Sequence, residues 1–196
     1  FVYYPDTPLW VALVITASVG AIMGLVNGII VTRFNVHSII VTLGTLSLYR
    51  GLVFIVSGGR QIDRNDIPVH IISFSQTSFL FSIPAILILS VIIVLITHLI
   101  MRHSVLGREI YATGSNPEAA HLKGINVTKV TLFCFGVCGM LAGVAGLFYA
   151  SRFGYVNPGV TGVGIEFIVI AGVIIGGTSI TGGSGSVLGT FLGILL

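Results

Sequence analysis

The sequence predicts an all-α protein that crosses a membrane several times as a polytopic helical bundle. Hydrophobic residues make up 55% of the 196 residues, charged residues make up only 8%, and the mean hydropathy is +1.08. A soluble domain carries roughly 25% charged residues. The deficit of charge indicates that most of the surface faces lipid and not water. The net charge of +3 is small and the bases are scattered, which argues against nucleic acid as a partner.

Long apolar segments recur along the chain, and a spanning helix needs about 20 mainly apolar residues. One segment is an almost unbroken run of Ile, Leu and Val. Another is rich in Thr, Ser and Gly and contains Arg50, so it either spans fully or is a broken or re-entrant segment. The predicted spans are Leu9 to Val31, Ser38 to Val56 (with Arg50), Phe79 to Met101 (the unbroken run), Val130 to Ser151 and Val163 to Ile180, and Ser186 to Leu196 begins another.

The chain begins at Phe1 and ends at Leu196 within an apolar run. We therefore expect one transmembrane domain over residues 1–196 that is cut at both ends. Between the spans, residues 102–129 form the most basic stretch, with four Lys or Arg against two Glu. The excess of basic residues on cytoplasmic loops predicts that this stretch, the 102–129 loop, lies in the cytoplasm.

Glycines recur every three or four residues within the predicted spans, so that they share one face of each helix. Lipid provides no hydrophobic drive for helix association, and small residues let helices approach closely. We therefore expect tightly packed helix pairs whose smooth faces also allow helices to slide between two states. The glycines are Gly20, Gly24 and Gly28; Gly136, Gly139, Gly143 and Gly146; Gly172 and Gly176; and Gly185, Gly189 and Gly193.

The sequence carries no pattern typical of an enzyme, so we expect no catalytic residue, no cofactor and no metal site. A phosphate-binding loop needs a lysine after its glycines, and the glycine-rich run 176–185 has none. The five histidines and two cysteines show no metal-ligand spacing. If ATP drives this protein, the nucleotide must bind to a separate chain.

The residue types in 115–124 predict a short helix, with typical capping residues at both ends. Asn116 is a typical N-cap, Pro117 fits the first helical position, and Glu118 lies at the positive end of the helix dipole. Gly124 can adopt the left-handed conformation that ends many helices. A helix of about two turns is marginal in water. It therefore either docks against a partner or is a plain surface helix, and the residues leave both interpretations open.

Three motifs in order resemble the permease subunits of bacterial ATP-binding cassette (ABC) importers, in the ribose/xylose/rhamnose/autoinducer-2 branch. In the first, Glu118-Ala119-Ala120 and Gly124 are similar to the E-A-A-x-x-x-G loop of that family, and residues 107–116 and 124–127 around them also match. The other two motifs are residues 40–45 with 49–51, and residues 176–179 with 182–185. Together the motifs cover roughly residues 10–196.

The resemblance implies a permease domain of a monosaccharide importer in the bacterial inner (plasma) membrane, with no enzymatic activity of its own. Two permease subunits, as a homodimer or heterodimer, would form the pathway through the lipid bilayer. Two ATPase subunits would dock beneath them, and a periplasmic or lipid-anchored sugar-binding protein would deliver the solute. The resemblance also implies ATPase-coupling roles for Glu118, Ala119, Ala120 and Gly124, and we expect Ala119 and Ala120 to be exposed for docking.

Polar residues inside the apolar segments are candidates for the lining of a solute pathway, because such groups are costly in lipid unless they face water or a partner. The candidates are Asn27, Thr42, Thr45, Arg50 and Glu166. Hydrogen bonding between helices, or an Arg50 that reaches the membrane boundary, would explain them equally well. The alternative function is a nucleotide-independent secondary transporter or channel, which would favour more intramembrane carboxylates than Glu166. A membrane scaffold, a third possibility, would not need Arg50.

Overall fold

The described part of the chain is mainly helical, which confirms the all-α prediction. The computed structural model describes residues 8–68, 72, 78–79 and 83–196. Its helices are α1 Leu9–Phe34, α2 Ser38–Ser57, α3 Ala85–His103, α4 Val105–Ser115, α5 Pro117–Leu122, α6 Val127–Phe153, α7 Ile165–Ile175 and α8 Val187–Leu195. A 3-10 helix lies at Arg64–Asp66, and β1 Ser78–Phe79 pairs antiparallel with β2 Ile83–Pro84.

Four helices of the described chain are long and apolar enough to cross a membrane: α1, α2, α3 and α6. Helices α1, α2 and α6 match the predicted spans to within three residues at each end. Helix α3 begins at Ala85, and residues 80–82 of the span predicted from Phe79 lie outside the described residues. The large apolar side chains on these helices are mostly exposed, as a lipid-facing surface requires.

Helix α2 settles the question left open for the Arg50 segment, because it runs without interruption from Ser38 to Ser57. The hydroxyl of Thr42 donates to the carbonyl oxygen of Ser38 at 2.9 Å, and the hydroxyl of Thr45 donates to that of Val41 at 3.0 Å. These bonds within the helix satisfy the hydroxyl groups of Thr42 and Thr45, so the two threonines do not break the helix. Of the two alternatives left open for Ser38 to Val56, the structure therefore has the continuous helix.

The broken segment of the fold lies instead where a fifth span was predicted, from Val163 to Ile180. Only Ile165–Ile175 is helical there, and 11 residues cover about 16 Å of a hydrocarbon core about 30 Å thick. The helix ends because the glycine-rich run begins, with Gly177 at φ +78°. Positions 172 and 176 face positions 193 and 189, so α7 and α8 form an antiparallel hairpin of two short helices.

The described chain divides into two compact units. The first unit comprises its residues up to 87 together with 132–161, and the second comprises residues 88–131 and 162–196. In the first unit, Ala12 of α1 and Leu147 of α6 are buried against each other. The segment after α2 is joined to the segment after α6 by a backbone bridge, in which Ile62 and Val156 exchange two hydrogen bonds of 2.9 Å.

Helices α1 and α6 pack through their glycines, as predicted. A Cβ atom at Gly20 would overlap the carbonyl oxygen of Gly139, and one at Gly143 would overlap that of Thr16. The two backbones are therefore in contact, which only glycine allows at these positions. Gly146 departs from the prediction, because no described heavy atom lies within 4 Å of a Cβ built there and it does not take part in this contact.

Candidate functional site

Helix α5 begins with the cap that the sequence predicts. The Asn116 side-chain oxygen accepts a hydrogen bond of 3.0 Å from the backbone N–H of Ala119. Pro117 occupies the first turn, where its missing N–H costs nothing, and Glu118 lies in the same turn. The carboxylate at this end interacts favourably with the helix dipole. The amino end of α5 is therefore fixed by its own residues.

The carboxyl end of α5 is closed by two backbone bonds that cross the last turn. Gly124 lies at φ +83° and donates to the carbonyl of His121 at 2.9 Å, while Ile125 donates to that of Ala120 at 3.1 Å. This is the Schellman pattern. No described atom lies within 4 Å of a Cβ built on Gly124. Glycine is therefore required at 124 by its backbone conformation and not by lack of space.

The exposed face of α5 differs from the expectation. Ala119 is exposed, but Ala120 is only 2% exposed, so the prediction that both alanines are available for docking is wrong for Ala120. The helical period of 3.6 residues turns position 120 away from the face shared by positions 118, 119 and 122. Leu122 is 88% exposed on that face. Sequence reasoning missed Leu122, although its i+4 relation to Glu118 was a visible signal.

Helix α4, which leads into α5, contacts the glycine-rich loop between α7 and α8 within the second unit. The hydroxyl of Tyr111 donates a hydrogen bond of 2.9 Å to the carbonyl oxygen of Gly185. A Cβ at Gly114 would lie 2.7 Å from the backbone nitrogen of Gly183, and a Cβ at Gly183 would lie 2.6 Å from the Cα of Ser115. The glycines thus allow the loop to lie directly on the end of α4, one residue before the N-cap of α5.

The polar residues predicted to line a pathway fall into different environments. Asn27 is half-buried, and its side-chain oxygen accepts a bond of 3.1 Å from the hydroxyl of Tyr49, which also lies 3.1 Å from the carbonyl of Met23. Asn27 therefore joins α1 to α2. Thr42 and Thr45 donate within their own helix. Sequence reasoning missed Tyr49, because its partners lie 22 and 26 residues away.

Arg50 and Glu166 are the two ionisable candidates, and both are half-buried. Arg50 follows Tyr49 on α2 in the first unit. Glu166 lies in the first turn of α7 in the second unit, where the helix dipole favours a negative charge. Neither side chain forms a hydrogen bond or ion pair with another residue of the described ranges. Among the five candidates, Arg50 and Glu166 are therefore the two ionisable side chains without a partner in the described ranges.

The fold and the loop define a multi-pass helical membrane protein with a capped helix on one of its loops. Residues 1–196 match the model of the family described as the permease component of branched-chain amino acid transport systems, and the chain belongs to this permease family. The family is one of transport proteins and not of enzymes, and the protein is a multi-pass protein of the bacterial inner membrane.

The curated relatives support the same assignment. The chain is 38% identical over 178 residues to the autoinducer 2 import system permease protein LsrC of Yersinia pseudotuberculosis, and equally identical to that of Yersinia pestis. The match covers 91% of this chain and 50% of each relative. The chain thus spans about half the length of the curated relatives it matches. The resemblance to permeases of the autoinducer-2 branch is confirmed. No solved structure matches the chain.

Proposed function

We propose that the chain is part of the permease subunit of an ABC importer, which moves a monosaccharide or a similar small hydroxylated solute into the cell. The observation that carries the proposal is α5, a helix of six residues closed at both ends by its own side chains and backbone. Family membership supports transport, and the autoinducer 2 import permeases among its relatives support a small solute rich in oxygen. In this proposal, the binding protein that delivers the solute selects which solute is transported.

The proposed role of α5 is to receive the motion of a separate ATPase subunit. Isolated helices of this length are marginal in water, yet the two caps preserve α5 with Glu118, Ala119 and Leu122 on one exposed face. A charged, a small and a large apolar side chain side by side suit a cleft with a polar rim and an apolar floor. Buried Ala120 and left-handed Gly124 hold the helix in shape and do not themselves enter the cleft.

The proposed route of coupling from α5 passes through α4 to the α7–α8 hairpin. Tyr111 and Gly114 hold the glycine-rich loop against α4 by one hydrogen bond and one backbone contact. Gly176 and Gly189 hold α7 against α8 with backbones in contact. Closely packed elements move together rather than deform. A displacement of α5 would therefore shift the hairpin, whose first turn carries Glu166.

For the solute, we propose that Arg50 and Glu166 supply the ionisable groups of the pathway, with Thr42 and Thr45 adding hydroxyl oxygens. Asn27 has a packing role instead, since Tyr49 occupies its oxygen. The complete transporter would contain a second permease subunit, identical or different, and two ATPase subunits. A periplasmic or lipid-anchored binding protein would complete it.

The test uses the full-length permease assembled in proteoliposomes with its ATPase and binding protein. Replacing Glu118 by Lys together with Gly124 by Pro should abolish solute uptake while ATP hydrolysis continues and the protein remains inserted. The matched control is Thr128→Lys, an exposed position of the same loop outside α5. Normal uptake in the double variant would refute the coupling role. Uptake that needs no ATP in the unaltered protein would instead favour a secondary transporter or channel.

A second measurement tests the orientation. Every native cysteine of the full-length protein, Cys134 and Cys138 among them, is first replaced by serine. The new thiol of a His121→Cys variant, at an exposed position, should then react with an impermeant thiol reagent only in inside-out vesicles. Reaction in right-side-out vesicles would place α5 on the outer face, where no ATPase can dock.

A further inference from the structure

Two neighbouring cavities in the second unit differ in chemistry and share one wall. The first, the basic cavity, has a volume of about 400 Å³ and lies among the end of α3, α4 and the start of α8. The second, the apolar cavity, has a volume of about 440 Å³ and continues along α3 and α8. The shared residues are Met101, Tyr111, Ser186 and Val187. A molecule that occupies both would need a polar end joined to an apolar body.

The basic cavity is suited to an anion. Arg102 from the last turn of α3, Arg108 from α4 and His98 line it, and none of its seven lining residues is acidic. Within the described ranges, neither arginine forms an ion pair or a hydrogen bond. Glu109, the acidic neighbour of Arg108 in sequence, does not line the cavity. Two guanidinium groups without a partner favour a phosphate group, which they bind in a bidentate way.

The apolar cavity is suited to hydrocarbon. Away from the shared wall, its apolar lining comes from Val94, Ile110, Phe191 and Ile194, and no charged residue lines it. The rest of that lining consists of four glycines and four hydroxyl-bearing residues, Thr178, Ser179, Ser184 and Thr190. Its volume lies within the range of about 300–1,000 Å³ that is typical of ligand sites. Val94 lies two turns before Arg102 on the membrane-spanning helix α3. The apolar cavity therefore extends from the basic cavity along α3 toward the middle of that helix.

We propose that the two cavities together bind one anionic phospholipid, with the headgroup phosphate at Arg102 and Arg108 and an acyl chain along Val94 and Ile194. Basic pockets between membrane helices at the membrane surface commonly hold anionic headgroups. A soluble phosphate would use the arginines but leave the apolar cavity unfilled. A neutral sugar would bond to the hydroxyl groups, but it would leave the two positive charges without a counterion and the apolar side chains without a matching surface. An anionic phospholipid matches both features, because it joins a phosphate group to acyl chains.

The test counts lipid molecules bound to the full-length protein by native mass spectrometry in a neutral detergent. The protein is exchanged into micelles that contain phosphatidylglycerol, or phosphatidylcholine with the same acyl chains. We expect one retained phosphatidylglycerol and no retained phosphatidylcholine. Each of Arg102→Ala and Arg108→Ala should reduce retention about fivefold, while the Arg→Lys variants, which keep the charge, should reduce it less. The matched controls are the single variants Lys123→Ala and Lys129→Ala, each of which removes one positive charge from an exposed position outside the cavity.

Two further arms distinguish a lipid from a free phosphate compound. The Val94→Phe variant, which fills the apolar cavity, should lower retention of phosphatidylglycerol with both arginines intact. Glycerophosphoglycerol, the headgroup without acyl chains, should not displace the lipid at equal concentration. Equal retention by the unaltered protein and the two arginine variants overturns the proposal. Loss in either lysine control to the same extent, or full displacement by the soluble headgroup, overturns it as well.

Discussion

The hydroxyl of Tyr111 donates a hydrogen bond of 2.9 Å to the carbonyl oxygen of Gly185, 74 residues further along the chain. Tyr111 lies on α4, immediately before the helix proposed to meet the ATPase, and Gly185 ends the loop that joins the two short helices of the hairpin. Within the second unit, the bond therefore links the helix that leads into α5 to the α7–α8 hairpin, which carries Glu166.

Tyr111→Phe removes this hydrogen bond and keeps the ring. A single hydrogen bond contributes about 1 kcal/mol net, which corresponds to about fivefold in an equilibrium. We expect the amount of solute taken up per ATP hydrolysed to fall by about that factor in proteoliposomes, with ATP hydrolysis retained. The control is Tyr149→Phe, whose hydroxyl bonds to no described residue although its ring packs 4.4 Å from that of Phe153. An unchanged ratio in Tyr111→Phe would show that the bond does not transmit motion.

Gly183→Ala tests the close contact between the glycine-rich loop and α4. The new methyl group would lie 2.6 Å from the Cα of Ser115, and φ is +77° at this position. The left-handed conformation alone costs about 1–2 kcal/mol for alanine, and the overlap adds to that cost. Gly177→Ala is the matched control, since φ is +78° there and no described atom lies within 4 Å. Thermal unfolding in detergent should show a larger loss of stability for Gly183→Ala, and equal losses would contradict the contact.

The sequence predicts those features of this chain that depend on neighbouring residues. Hydropathy locates α1, α2 and α6, and the residue types around α5 predict both of its ends, because spans and caps are set within one or a few helical turns. The end of α7 is the exception. Its apolar residues continue smoothly into the glycine-rich run, and hydropathy does not register that Gly177 has left the helix.

Features that depend on distant residues were not predictable in the same way. The sequence identifies Asn27 as polar but does not show that Tyr49 is its partner. It likewise marks Glu118 and Ala119, and helical spacing places Leu122 on the face of Glu118, but the sequence does not show which face of α5 is buried. Burial depends on which side of α5 packs against its neighbours, and the capping residues do not determine that side.

A double-mutant cycle between Asn27 and Tyr49 separates a packing role from a pathway role. Hydrogen bonds between membrane helices contribute about 0.6 kcal/mol on average, so Asn27→Ala and Tyr49→Phe should show a coupling energy of that order in unfolding measurements. Solute uptake by correctly folded protein should remain near normal in both variants. A strong loss of uptake with no coupling energy would instead support a role for Asn27 in lining the pathway.

Leu122→Ala tests the face of α5 that the sequence did not reveal. Alanine is the best helix former and both caps are untouched, so α5 should persist and only the exposed side chain is lost. Burial of a leucine side chain contributes about 1.5–3 kcal/mol. We therefore expect the affinity of the ATPase subunit for the detergent-solubilised full-length permease to fall at least about tenfold. Val105→Ala is the control, because Val105 is also exposed in the 102–129 loop but lies on α4 and outside the proposed docking face. Equal affinities for Leu122→Ala and the unaltered permease, measured by surface plasmon resonance, would show that the ATPase does not bury Leu122.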